Sequence, residues 1–311
     1  MINILGKRYY YFLFSLLIII PGLTLFFYQM STNTLPLSID FAGGSLLDVR
    51  FENANPTPAE IIAFYEGLGV EDVKVQSTGQ GSVVIRSSEL SEELRSTIVQ
   101  QLSEKFNSKV ILLRQDNVGP TIGKEVTSRA AQAVAIAALI VTIYMTFAFR
   151  GVPHAIRYGI CAITAMVHDV AIVFSLTAIG SYLWGWQIDA LFLTALLTVI
   201  GFSVQDKVVV FDRIRENTGI FKRLPFETLV NHSIVQTLQR SINTQLMTVE
   251  FMLLSLALFG GVTLREFAVI LLVGLLSGTY SSIFIAAPIL VVWEGREWRF
   301  WFGRNKSEAA A

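Results

Sequence analysis

The sequence predicts an α-helical polytopic membrane protein, with six transmembrane helices and one small α+β domain between the first two. Three observations lead there. Of the 311 residues, 53% are hydrophobic and 15% charged, and the mean hydropathy is +0.56, a composition unlike that of soluble domains. Apolar runs able to cross the ~30 Å of a bilayer core recur at 9–28, 130–149, 157–181, 188–211, 241–259 and 267–293. One stretch, 30–129, is too long and too polar for a loop between spans. Net charge is zero and no basic run stands out, so nucleic acid is not an expected partner. The single cysteine, Cys161, can form no internal disulfide and reads as a small packing residue. No metal-ligand cluster appears, and no cofactor is expected.

The first run follows Lys7 and Arg8 and lacks a small-residue cleavage site after it, so it reads as a retained helix. Positive charge orients the rest. Arg150, His154 and Arg157 lie between spans two and three; Arg213, Arg215, Lys222 and Arg223 between four and five; Arg296, Arg299, Arg304 and Lys306 after six. The connection at 182–187 has no Lys or Arg, and 260–266 has only Arg265. Both termini are therefore expected in the cytoplasm and 30–129 outside it. Trp184, Trp186, Trp293, Trp298 and Trp301 fall at span ends, where interfacial anchors belong. The expected divisions are 1–29 (N-terminus and first span), 30–129 (outer domain), 130–295 (spans two to six) and 296–311 (tail). A cytoplasmic linker at 219–240 carries Leu229, Val230, Ile234 and Leu238 at helical spacing, which reads as an amphipathic surface helix.

In the outer domain, 45–51 alternates apolar and polar residues and predicts a strand. Pro58 opens a helix through Gly67. Short strands follow at 73–76 and 82–86, divided by a turn at Gly79 and Gly81. Ser91 caps a helix bearing Leu94, Ile98, Leu102 and Phe106, and 109–114 is a last strand. The order βαββαβ suggests a ferredoxin-like sandwich. No catalytic constellation appears in it, and a scaffold or contact role is the expectation.

The chemistry concentrates in the spans. Asp206 falls inside span four, near its charged end, where a charge costs at least ~2.5–3.5 kcal/mol. Intramembrane carboxylates usually handle protons or ions; the alternative is a neutral carboxyl, or a pair with Lys207 that joins helices. Arg240 and Thr244 lie one turn apart at the start of span five, at the same depth as Asp206. An Arg beside a carboxylate keeps it ionised; otherwise Arg240 snorkels to lipid headgroups. His168 and Asp169 occupy the middle of span three and suggest polar helix contacts or a relay. Glu250 stands isolated mid-way along span five. Gly274, Gly278, Ser282 and Ala286 place a small residue every fourth position of span six, a close-packing face.

Six short motifs in order resemble the SecD/SecF family of the bacterial Sec protein-export pathway. They are Ile39-Asp40-Phe41-Ala42-Gly43-Gly44, Val118-Gly119-Pro120-Thr121-Ile122-Gly123, His168-Asp169, 208–217 (VVVFDRIREN), Asn243-Thr244 and 278–284 (GTYSSIF). The resemblance covers nearly the whole chain. It implies a fold of the resistance-nodulation-division superfamily, six helices here and six in a partner, SecD. It also implies coupling of proton or sodium flow to late-stage preprotein export at the inner membrane. The implied partners are SecD, the SecYEG translocon, the preprotein, YajC-type or YidC-type accessory proteins, and membrane lipids. Asp206 falls on the family's ion-pathway Asp, and Arg240 and Thr244 on its Arg and Thr. Lys207 and Glu250 depart from the pattern: a small hydroxyl residue and an apolar residue are usual there.

Three other readings compete with this one. A small-molecule exporter half of the same superfamily would normally have twelve spans and larger outer domains. A non-conducting assembly subunit would make Asp206 structural. An intramembrane enzyme lacks support, since the spans carry no GxGD aspartate pair, HExxH or Ser/His pair.

Overall fold

The computed structural model describes residues 3–32, 34–79, 82–149, 155–245, 251–260 and 262–297. The chain divides into two compact units. One holds Pro36–Ala133 and Trp184–Ala190; the other holds Met1–Leu35, Val134–Leu183 and Leu191–Ala311.

The smaller unit is a four-stranded antiparallel sheet with two helices. In chain order it runs α2 (Ile39–Ala42), β1 (Gly44–Phe51), α3 (Pro58–Gly67), β2 (Lys74–Gly79), β3 (Ser82–Ser87), α4 (Glu92–Lys105) and β4 (Val110–Val118). The strands lie in the order β2-β3-β1-β4. Central β1 pairs with β3 and β4 and turns Leu47, Val49 and Phe51 into the core against Ile61, Ile98 and Leu102. Local chemistry sets the helix starts: Thr57 and Glu60 form a reciprocal capping box with Pro58 in the first turn, and Ser91 Oγ accepts from Leu94 N at 3.3 Å. β4 runs four residues past the expected 114, because 115–118 complete the ladder opposite Gly44–Leu47. The polar side chains of Gln115, Asp116 and Asn117 hid that from the alternation pattern.

Tyr65 is fully buried in this core, and its hydroxyl has no hydrogen-bond partner. An unmet buried hydroxyl costs about 1–3 kcal/mol. Tyr65→Phe is therefore expected to stabilise the unit by about 1 kcal/mol, read as slower hydrogen exchange of the β1 and β3 amides in the full chain.

The turn before β1 binds this unit together. Ser38 caps α2 through Asp40 N, and Gly43 and Gly44 take φ of +80° and +124°, where a side chain is strained. This bend meets the start of α5 (Pro120–Ala148) with no space to spare. A Cβ on Gly123 would lie 2.7 Å from Gly43 N, and Thr127 Oγ1 donates to the Phe41 carbonyl at 3.0 Å. The segment 184–190 joins the same unit through Ser38 N to the Ile188 carbonyl (3.0 Å) and Ile188 N to the Pro36 carbonyl (2.7 Å).

The larger unit is helical: α1 (Arg8–Ser31), the inner half of α5, α6 (Ala155–Trp184), α7 (Ala190–Ile220), α8 (Phe226–Gln245), α9 (Phe251–Phe259), α10 (Val262–Ser281) and α11 (Ala287–Glu294). A wide π-helical turn, Ser282–Ala286, joins α10 to α11 just before Pro288. Five helices among the described residues are long and apolar enough to cross a membrane: Leu5–Ser31, Pro120–Ala148, Ile156–Trp184, Ala190–Ile220 and Leu264–Glu294. The expected span 241–259 corresponds to the last turn of α8 and to α9, with 246–250 between them outside the described residues.

α6, α7 and α10 form the centre, and α1 and α5 are mostly exposed. α1 crosses α6 at Gly22, where a Cβ would lie 2.3 Å from Ser175 Cβ. A Cβ on Gly274 would lie 2.3 Å from Val199 Cγ2 of α7, so bare backbone at Gly274 sets the α7–α10 approach. At one end of the bundle Phe149, Tyr158 and Phe211 pack ring to ring at 5.5–5.8 Å. The linker expected to end near 240 does not stop there. No Gly or Pro interrupts 226–245, and the buried face of Leu229, Val230 and Ile234 continues into Ser241, so α8 runs on to Gln245. Asn217 Nδ2 donates to Ser233 Oγ at 2.8 Å, fixing α8 on α7. Arg8 pairs with Glu227 and Glu297, and Arg157 with Glu294 at 2.6 Å.

Candidate functional site

Three apolar helices bring a polar cluster into the centre of the helical unit. α6 supplies His168 and Asp169, α7 supplies Ser203, Asp206 and Lys207, and α10 supplies Ser277, Thr279 and Ser281. Helical periodicity explains the sorting. Ser203 and Lys207 are four apart and share a face of α7; Ser277 and Ser281 do the same on α10. Asp206 is turned about 100° from Lys207, so the two neighbours in sequence address different surroundings.

Lys207 and Asp169 are both fully buried and pair at 2.7 Å. Asp169 Oδ2 also accepts from Ser203 Oγ and Ser281 Oγ, each at 2.7 Å, and Oδ1 accepts from Ser277 Oγ at 2.7 Å. His168 Nδ1 lies 3.0 Å from Oδ1, while its ring packs 6.2 Å from that of Tyr280 and its Nε2 has no hydrogen-bond partner. The Lys207 ammonium donates further to the Ser203 carbonyl (3.1 Å) and hydroxyl (2.5 Å). A charge pair taken out of water is costly unless such extra hydrogen bonds complete it. Here both ions are completed.

Asp206 is 5% exposed, and its Oδ2 accepts from Thr279 Oγ1 at 3.2 Å. The structure thus brings Asp206 to α10. Arg240 and Thr244 lie on exposed positions of α8. Of the two surroundings open to Lys207 in the sequence, its neighbour Asp206 or another helix, helix phase gives it Asp169 of α6. Glu250 lies outside the described residues. Gly278 sits on α7, where a Cβ would lie 3.3 Å from Ser203 Cα, and Ser282 is fully buried. Sequence reasoning missed Ser203 and Ser277, and gave Thr279 and Ser281 only as part of the motif at 278–284, with no role at the site. The available signal was the i, i+4 spacing of hydroxyls beside a lysine, but span hydroxyls commonly bond their own helix carbonyl, as Thr177 does to Val173. Among the described residues no group of three His, Cys, Asp or Glu could hold a metal ion.

Residues 98–296 match the family described as protein export membrane protein SecD/SecF, C-terminal, and 30–54 match the SecD/SecF GG motif. The chain belongs to the SecD/SecF family. This is a family of membrane transport and not of catalysis. A protein translocase subunit SecF from Anaerolinea thermophila is 64% identical over 312 residues, covering 100% of each chain. A protein translocase subunit SecDF from Bacillus subtilis is 34% identical over 301 residues, covering 94% of this chain and 38% of its own. The crystal structure of SecDF from Thermus thermophilus, described as a translocon-associated membrane protein, superposes with a TM-score of 0.82 at 31% identity. It covers 95% of this chain and 39% of that one. SecDF in its super-membrane-facing form gives a TM-score of 0.67 at 30% identity, over 98% of this chain and 40% of that one. The chain therefore spans about two fifths of the longer SecDF proteins. The GG motif of the family coincides with the Gly43–Gly44 bend, and the larger match includes every residue of the buried cluster.

Proposed function

We propose that the chain is the SecF subunit of a SecD–SecF complex in the bacterial inner membrane, and that it couples proton flow through Asp206 to the late stage of preprotein export. The observation that carries this is a carboxylate buried within an apolar helix and touched by a hydroxyl of span six, Thr279. The longer relatives support a second half of similar kind, SecD, as partner; SecYEG, the preprotein, YajC-type or YidC-type proteins and lipids are the surroundings that the family resemblance implies. The charge of the loops supports cytoplasmic termini and an outer α+β unit, and its strand order supports the ferredoxin-like description.

In this reading a proton from outside loads Asp206. Approach of the Arg240 guanidinium then drives its release to the inner side. Thr244, one turn from Arg240, positions the carboxyl or a water. A membrane potential supplies ~2.3 kcal/mol per charge per 100 mV, and several protons per stroke would move the outer unit through its connections to α1 and α5. Asp206→Asn is expected to reduce export stimulated by the proton-motive force to its unstimulated level, with expression and SecD association unchanged. Arg240→Met should do nearly the same. Wild-type, potential-dependent export in both variants would make the carboxylate structural and favour an assembly subunit.

A further inference from the structure

Lys207 is a cation with no access to water, and its surroundings are those of a bound ion. Its ammonium contacts Asp169 Oδ2 at 2.7 Å, the Ser203 carbonyl at 3.1 Å and Ser203 Oγ at 2.5 Å. Ser277 Oγ and Ser281 Oγ complete the carboxylate at 2.7 Å each, and His168 Nδ1 lies 3.0 Å from its Oδ1. Around the nitrogen the acceptors are all oxygen: one carboxylate, one carbonyl and one hydroxyl. Oxygen sets of this kind suit hard cations, and a single carboxylate balances a single positive charge. The three helices contributing to the cluster, α6, α7 and α10, hold these groups at a point of full burial.

We propose that Lys207 is a tethered substitute for an alkali-metal cation. Its ammonium fills an oxygen-lined site for a monovalent ion on Asp169, so the chain binds no sodium at this position and needs none for stability. The site is complete as the chain folds, and selectivity for a free ion is removed by a covalent one. The inference narrows the ion of the proposed coupling, and its test reads cation binding and not export, so either proposal can fail alone.

The experiment uses the full chain with Lys207→Ser, which empties the cage and leaves an oxygen. The variant and its parent are extracted and purified in parallel in sodium chloride and in choline chloride at equal ionic strength, and thermal unfolding is followed as one salt replaces the other. The parent should unfold at the same temperature in both. The variant should unfold lower in choline, and sodium should raise its midpoint saturably by several degrees. Adding Asp169→Asn to Lys207→Ser should abolish that rise. The proposal is overturned if the variant responds equally to both salts, if the response survives Asp169→Asn, or if the parent shows a saturable sodium response. Recovery of folded variant in neither salt also counts against it, because sodium should stand in for the lost ammonium.

Discussion

Lys207→Met is expected to cost about 3–5 kcal/mol, because it leaves the Asp169 carboxylate buried without a counter-charge. Whole-protein stabilities run to only about 5–15 kcal/mol, so the variant should yield little folded protein. Three serine hydroxyls remain on Asp169, each such bond contributing about 1.5–3 kcal/mol to a charged group. They were already made in the parent, however, and supply no new compensation. Asp169→Asn alone should be comparably harmful, since it strands the ammonium. Asp169→Asn with Lys207→Met removes both charges together and should recover most of the loss. The fraction of monodisperse protein after extraction and the unfolding midpoint check all three. Parent-like stability in Lys207→Met would mean that the pair does not hold the three helices.

Gly44→Ala should unfold the smaller unit locally, at about 3 kcal/mol or more. Two causes add. The φ of +124° is one that L side chains rarely adopt, and the new Cβ would sit 2.4 Å from the Ser87 carbonyl oxygen. That oxygen is backbone of β3, whose next residue pair, Leu46 with Arg86, continues the ladder, so neither strand can retreat without breaking register. Gly67 is the control: a Cβ there meets nothing within 4 Å, and Gly67→Ala should be neutral or slightly stabilising. Limited proteolysis of the full chain, read at 36–133, separates the two. Equal resistance in both variants would show that the bend tolerates a side chain.

Much of the fold was legible because the controlling signals are local. Pro58 in a first turn and Ser91 at an N-cap are local signals of a helix start, and the alternation at 45–51 needs one buried face to become a strand. The long apolar runs mark helices on composition alone. The site was legible only in part. Asp206, Lys207, His168 and Asp169 stand out because charge in hydrocarbon is costly, but which helix opposes each of them is a property of packing. A sequence shows that Lys207 lies 100° from Asp206; it does not show that α6 stands on that side with Asp169. The continuation of α8 past 240 was missed for a related reason. The buried face of Val230 and Ile234, continued at Ser241, keeps one helix going where charge at Arg240 suggested a boundary.

The wide turn at Ser282–Ala286 acts as a phase correction along the last span. In an α-helix four residues overshoot a full turn by about 40°, so small residues at every fourth position would spiral away from a straight neighbour. A turn that holds an extra residue winds back part of that overshoot. Gly274 and Gly278 lie against α7, and Ser282 and Ala286, beyond the start of the wide turn, are still fully buried. Restoring ideal winding to the same residues would rotate α11 by up to about 100°, carrying Glu294 off Arg157. The ion pair at the end of the last span thus depends on a defect in the helix and not on its regularity.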